Sequence, residues 1–444
     1  MIERINKKLD IFRRDGVFIS ILAAILFFYR LNTYADILLV GLLSLLLLVN
    51  IKTNRFLYSY FALIFFETIM VVPLFGGTYF RLFYLLLALR VLLDFIGKRK
   101  VKMDIPTILV GAVFFVTSFI YSVSLPRNIS VAMNVLSVLY ISLALKAQGD
   151  YKKVIGEFLT YIAIFSALSG LFGLIRGFMF GGIDSARFYG TIDDPNYSAM
   201  FYVIGFFATI GASMIQKKWI KILLAVILVI FTLMTASITA LLVLILLSYI
   251  WYTVIYGFKK SLLILLVLCI FIAGILFIPL SEGSYIGQTQ NKLQKFLTLD
   301  NPTEYLNYQY PNYSELEFYL NKVTSNRYSL AKTYAIHLFY TTPVSEQWFG
   351  GNNPIEGDFI NSVPVINGLV SHNSYLDMMF MMGYIFTALV LIFIGINIVR
   401  HFIRYLRTKE MEYLCIVLMM MSVLLFSMAI SIFPFRYFIA FLLL

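Results

Sequence analysis

Apolar segments long enough to cross a membrane follow one another along almost the whole chain, and nothing else in the sequence limits its architecture as strongly. A hydrocarbon layer about 30 Å thick is crossed by roughly 20 apolar residues in a helix. Backbone groups find no water there, so each such run must be helical. The candidate spans are Val17–Leu31, Ile37–Ile51, Phe56–Leu74, Tyr79–Ile96, Ile105–Leu125, Ile129–Leu145 and Val154–Phe180. Tyr197–Ile215, Trp219–Met234, Thr239–Tyr256, Ser261–Leu280, Met378–Ile398 and Glu412–Ile432 complete the series. Apolar residues make up 61% and charged residues 13% of the chain, whereas a soluble domain carries about a quarter charged residues. The expected fold is an all-α integral membrane protein, a polytopic bundle of about 12–14 transmembrane helices. Its expected divisions are an N-terminal bundle over 1–280, one large loop over 281–371 and C-terminal helices over 372–444.

The formal charge of +12 invites a nucleic-acid reading, but its distribution argues for topology. Basic residues recur in every second connection: Arg4, Lys7, Lys8, Arg13 and Arg14, then Lys52 and Arg55, then Lys98, Arg99, Lys100 and Lys102. The pattern runs on through Lys146, Lys152 and Lys153, then Lys217, Lys218 and Lys221, then Lys259 and Lys260. It ends with Arg400, Arg404, Arg407 and Lys409. The intervening connections are nearly free of Lys and Arg, which is the positive-inside pattern. It places the N-terminus in the cytoplasm and the large loop outside, and it leaves no case for nucleic acid. The first apolar span follows a basic start, as in a signal peptide, but no small-residue cleavage site follows it, so an uncleaved span is expected. Cys269 and Cys415 both fall inside apolar spans, and three histidines at unrelated spacings suit no metal site.

Two outside connections hold the polar chemistry. The first contains Asp184, Arg187, Gly190 and the run Asp193-Asp194-Pro195-Asn196. The second is the large loop, rich in Tyr, Asn and Gln, which ends in Ser371-His372-Asn373-Ser374-Tyr375-Leu376. Within it, Ser325-Asn326 can cap a helix from about Arg327 to Tyr340, with Leu330, Tyr334 and Leu338 on one side and Thr342-Pro343 as its stop. Gly350-Gly351-Asn352-Asn353-Pro354 reads as turn. Charge parity puts both connections on one face of the membrane, where they can build a single site. No repeat of 20–50 residues and no inverted repeat is visible.

Each candidate residue has a plainer reading beside the functional one. Arg187 can fork two hydrogen bonds onto a phosphate, or pair with a neighbouring aspartate. Asp193 and Asp194 can hold a divalent cation, or stand solvated. Arg327 opposes the helix macrodipole at its own N-terminus, which marks either function or a side chain pointing into water. His372 can be a general base or an interfacial polar residue, while His337 and His401 read as structural or solvated. Glu67, Arg81 and Arg90 fall within predicted helices, where charges pair or line a wet cavity. Pairing suits Arg90, whereas Arg81, nearer the outer face, can join an anion pocket. The loop tyrosines, among them Tyr328 and Tyr334, suit either sugar faces or the membrane interface.

Three of these stretches together resemble the O-antigen ligase and Wzy-type polysaccharide polymerase superfamily. Arg187-Phe-Tyr-Gly190 through Pro195-Asn196 is similar to its Arg-x-x-Gly and Pro-Asn at the head of a span. Arg327, Thr342-Pro343 and Gly350-Gly351 are similar to its large-loop pattern. His372-Asn373 through Leu376 and Gly383 is similar to its His-Asn-x-x-Leu signature. One departure is Ile238, which stands where that superfamily often has arginine, with Arg81, Arg176 and Arg436 as possible replacements. The resemblance implies a GT-C-like bundle in the bacterial cytoplasmic (inner) membrane that transfers glycan from a polyprenyl diphosphate carrier on the outer face, with neither metal nor other cofactor. It implies His372, Arg187 and Arg327 as catalytic residues, and Arg81, Asn196, Asn373 and Tyr328 as substrate-binding residues. The partners it implies are polyprenyl-diphosphate-linked oligosaccharide, the lipid bilayer, a flippase and a chain-length regulator. A polymerase of repeat units for a capsule or O-antigen is the expected activity. A ligase passing glycan to another acceptor and a transporter or flippase of the carrier-linked sugar are the alternatives.

Overall fold

A computed structural model of the chain describes residues 15–29, 33–49, scattered positions between 58 and 147, and then 150–180, 187–192, 194–277, 284–297, 314–324, 327–351 and 372–430. The described residues are overwhelmingly helical. Helices α1 (Asp15–Phe28) and α2 (Thr33–Val49) pair near the N-terminus, and α3 (Tyr151–Phe180), α4 (Pro195–Gly211), α5 (Lys218–Met234), α6 (Ile238–Tyr256) and α7 (Phe258–Phe277) follow. The large loop contributes α8 (Tyr285–Leu297), α9 (Glu315–Thr324), α10 (Arg327–Ile336) with a π-helical turn over His337–Thr341, and α11 (Val344–Phe349). The long α12 (Ser374–Thr408) and α13 (Met411–Ser427) close the described chain.

Among the described residues, three helical segments are long and apolar enough to cross a membrane: Tyr151–Met179, Ile238–Tyr256 and Ser374–Thr408. The helices α3 to α7 sit within a few residues of the spans expected for them, because apolar length alone dictates a helix in hydrocarbon. The spans expected at Phe56–Leu74, Tyr79–Ile96, Ile105–Leu125 and Ile129–Leu145 lie mostly outside the described residues. One local correction falls there: Val71–Val72 pairs antiparallel with Gly77–Thr78 at the end of an expected span. Pro73 explains it, since the residue before a proline is pushed out of the helical region into an extended conformation.

Helix α4 lies at the centre, packed on α3, α5 and α13, with Ser198 to Ile204 buried throughout. Its neighbour α5 buries Leu228, Phe231 and Leu233 and turns Trp219, Ile222, Val226 and Ile230 outwards. An outward apolar face of that kind suits lipid, not water. At the opposite end from the candidate site, the carboxylate of Asp104 accepts from Lys146 at 2.9 Å and Arg400 at 3.4 Å. His401, read from sequence as structural or solvated, is buried there between the rings of Tyr151 and Tyr413.

Helix α12 departs most from expectation, because it is broken at Gly383 and not a single rod. Gly383 has φ 72° and ψ 177°, and Gly350 at the end of α11 has φ 78° and ψ −170°. Only glycine occupies that region readily, and other residues pay of order 1–3 kcal/mol there. Each glycine lies against the backbone just before the other. A Cβ on Gly383 would strike the Trp348 backbone, and one on Gly350 would strike the backbone at Met381. The Gly351 amide completes the joint by donating to the Phe380 carbonyl at 3.2 Å. Gly383→Val is therefore expected to undock α11, with amide exchange at Gly351 accelerating by at least about fivefold from the backbone term alone. Unchanged exchange would show that the glycine joint does not hold the loop.

Candidate functional site

The site is assembled from three pieces: the connection before α4, the start of α10 and the start of α12. Sequence explains the first piece well. Asp194 caps α4, accepting from the amides of Asn196 at 2.6 Å and Tyr197 at 3.1 Å, with Pro195 in the first helical turn where its missing N–H does no harm. The chain just before it rests on α3, where Gly190, at φ 60°, presses its backbone against Gly173. The Phe188 amide donates to the Met234 carbonyl at 3.1 Å, and its ring sits among Tyr202, Phe231 and Tyr285.

Arg187 is held rigidly by this frame. Its Nε donates to the Thr235 carbonyl at 2.9 Å and its Nη2 to Asn196 Oδ1 at 3.0 Å. The first bond satisfies a carbonyl at the C-terminal end of α5, where a cation is favourable. Thr235 belongs to the turn that leads into Ile238, the first residue of α6. A guanidinium therefore reaches this turn from the opposite connection.

The second piece is built by the large loop. In α9, Ser314 and Glu317 form a capping box: the Ser314 amide donates to Glu317 Oε2 at 2.9 Å and the Glu317 amide to Ser314 Oγ at 3.3 Å. Glu317 also takes the ammonium of Lys332 at 2.5 Å and the hydroxyl of Tyr328 at 3.1 Å, which ties α9 to α10. Leu330, Tyr334 and Leu338 form the stripe expected from sequence, and it packs on Phe380 and Leu376 of α12. Tyr334 and Leu338 are fully buried. Tyr334 is thus a packing residue, and the Tyr328 hydroxyl lies on Glu317. Thr342 ends the π-turn as expected.

The third piece is His372, half-buried and at φ 50°, a left-handed conformation uncommon outside glycine. Asn373 caps α12 by accepting from the amides of Tyr375 at 3.0 Å and Leu376 at 3.2 Å. Ser374 Oγ donates to the Ile430 carbonyl at 2.7 Å and the Tyr375 hydroxyl to the Leu424 carbonyl at 2.8 Å. These bonds pin the start of α12 to the end of α13 and so fix where the imidazole sits.

Arg187, Arg327 and His372 each lie within electrostatic range of Asp194. Arg187 feels Asp194 and Arg327, Arg327 feels Asp194 and Tyr197, and His372 feels Arg327 and Asp194. Burial depresses the proton affinity of both guanidiniums, and Asp194 opposes it in each. Both stay cationic, since guanidinium does not deprotonate in proteins. Burial, reinforced by Arg327 and opposed by Asp194, holds His372 below the ordinary histidine pKa. Near neutral pH its imidazole is therefore uncharged and able to accept a proton.

No protein-family model matches this chain, and no curated protein matches it. Arg187, Arg327 and His372 all lie in electrostatic range of Asp194, with Asn196 bonded to Arg187 and Asn373 next to His372 as the cap of α12. Arg81 and Arg436 lie outside the described residues, as do Asp193, Glu67, Arg90 and the cap at 325–326. Asp194, weighed as half of a cation site, is a helix cap that also balances the two arginines. Arg176, weighed as a replacement cation, donates to the carbonyls of Phe27 at 2.8 Å and Tyr29, closing the C-terminal end of α1.

One acidic residue went unremarked in the sequence. Asp377, fully buried in the first turn of α12, reaches Tyr197 and Tyr334 electrostatically. The signal was available: an acid next to a membrane-length apolar run carries a desolvation cost and so needs a reason to be there. It stands one residue before the expected start of the span.

Proposed function

We propose that this chain is an integral membrane glycosyltransferase that joins polyprenyl-diphosphate-linked oligosaccharide repeats at the outer face of the cytoplasmic membrane, as a polysaccharide polymerase. The observation that carries this reading is that two half-buried arginines and a half-buried histidine, contributed by connections far apart in sequence, each lie within electrostatic range of Asp194. A lipid diphosphate leaving group calls for fixed positive charge more than for a protonating acid. Arg187 and Arg327 supply such charge in a partly dry site, where it stabilises developing negative charge most effectively.

In the proposed step, the acceptor hydroxyl oxygen forms a bond to the anomeric carbon of the carrier-linked sugar. The bond from that carbon to the diphosphate oxygen breaks, and the diphosphate leaves with the electron pair between the two guanidiniums. The hydroxyl proton passes to the imidazole of His372, which its surroundings keep unprotonated. Asn196 orients Arg187, and Asn373 and the α13 carbonyls orient the segment that carries His372.

The test uses purified protein in proteoliposomes with a carrier-linked oligosaccharide repeat. A ladder of products from the repeat alone is the expected result. Product that forms only after a second acceptor is added would make the chain a ligase. Transfer of intact carrier-linked sugar across the bilayer with no new glycosidic bond would make it a transporter and overturn the enzyme reading.

A further inference from the structure

Among the described residues, the segment between α10 and α12 carries a largely exposed apolar surface. Phe339, Tyr340, Val344, Trp348 and Phe349 are 56%, 85%, 68%, 49% and 54% exposed. They come from two adjacent elements, the π-helical turn over His337–Thr341 and α11. The same segment buries Leu338 against α12, so its exposed side is a distinct second face. Between Ile336 and Phe349 the only charged side chain is Glu346. The ionic link of the loop, Lys332 to Glu317, lies on α10 and α9 instead.

This face joins the membrane-length part of the chain. Tyr384, the first residue after the break in α12, stacks on Phe339 with ring centres 6.1 Å apart and meets Trp348 edge-on at 5.7 Å. From there Ile385, Leu389, Ile392, Ile396 and Val399 run down one outward side of α12 at helical spacing, all 38% to 59% exposed. An outward stripe of Ile, Leu and Val, topped by Phe, Tyr and Trp at the point where the helix breaks, follows the composition of a segment leaving hydrocarbon for the headgroup layer. An exposed aromatic face with one charge is costly in water and favourable at that depth.

We infer that the π-turn and α11 lie in the outer headgroup region of the bilayer, with Phe339, Tyr340, Val344, Trp348 and Phe349 inserted as an interfacial anchor. The occupant of this face is lipid. The inference rests on α12 crossing the membrane. Its consequence is that the loop bearing Arg327 is held at the depth where a lipid-borne diphosphate sits, through the glycine joint at Gly350 and Gly383.

The experiment places an environment-sensitive fluorophore on Tyr340→Cys in a Cys269→Ser background, Cys415 being buried and unreactive. The labelled full chain is reconstituted in phosphatidylcholine vesicles, with probes at Glu315→Cys on α9 and Leu389→Cys on α12 for comparison. The Tyr340 probe is expected to be quenched by shallow lipid nitroxides and to be roughly fivefold less accessible to aqueous iodide than the Glu315 probe. Iodide access equal to that at Glu315, with Leu389 still quenched by lipid, would overturn the anchor and leave the membrane reading intact. Iodide access at both Tyr340 and Leu389 would overturn the membrane reading itself. Shielding from iodide without lipid quenching would mean that protein covers the face, and would also overturn the anchor. Val344→Cys carries the same probe should Tyr340→Cys fold poorly.

Discussion

Replacing His372 by Ala is expected to slow glycosyl transfer by about 10²–10⁴-fold, the usual contribution of a positioned general base, while carrier binding stays largely intact. The imidazole sits at the head of α12 in a left-handed backbone conformation, fixed by the Asn373 cap and by the bonds from Ser374 and Tyr375 to the end of α13. Removing the ring leaves those bonds in place, so loss of rate without loss of binding separates chemistry from folding. The pH profile gives a second readout. His372 acts in its unprotonated form, and burial and Arg327 lower its pKa. Activity should therefore hold at neutral pH and fall with acid, with a midpoint below the ordinary value of about 6.5. Arg327→Gln removes the neighbouring cation and should move that acid limb upwards. If His372→Ala keeps more than about a tenth of the wild-type rate, the histidine is not the base.

Arg327→Ala is expected to lower the efficiency of transfer by about 10²–10³-fold, the typical effect of removing one preorganised group that stabilises developing negative charge. It should also weaken binding of the carrier diphosphate, measured directly with a labelled polyprenyl diphosphate. Arg327→Lys should recover only part of either loss, because an ammonium keeps the charge but not the paired donors of the guanidinium. Arg187→Ala should show the same weakened binding together with a looser connection before α4, since Arg187 also bonds Thr235 and Asn196. Arg327 is the cleaner test because it opens α10, whose hold on α12 comes from Leu330, Tyr334 and Leu338. Unchanged affinity for the diphosphate in both arginine variants would reject the clamp.

Much of this chain could be read from local pattern. The helices α3 to α7 follow from apolar length, and the stripe of Leu330, Tyr334 and Leu338 follows from helical spacing. The turn at Gly350 follows from glycine, and the end of α10 and its π-turn from Thr342-Pro343. Asp194-Pro195 and Asn373 mark the starts of α4 and α12 by ordinary capping chemistry. Each of these depends on neighbours within a turn or two, and such interactions are fixed by sequence spacing alone.

Other features depend on partners well beyond the neighbouring turns. A lone glycine at 383 reads as one more residue of a span, and only the close approach of the Trp348 and Phe349 backbone shows why the helix breaks there. Asp377 stands in the sequence as one acid ahead of a span, and only packing buries it within electrostatic range of Tyr197 and Tyr334. Tyr328 looks available for a ligand until Glu317, eleven residues earlier, takes its hydroxyl. By itself the sequence determined that this chain is helical, apolar over membrane lengths, and polar in two connections, because hydrocarbon length, helical period and capping are local constraints. Only the tertiary structure brings Arg187, Arg327 and His372 within electrostatic range of Asp194, because that approach depends on how α4, α10 and α12 pack, and packing is a property of faces that no single segment contains.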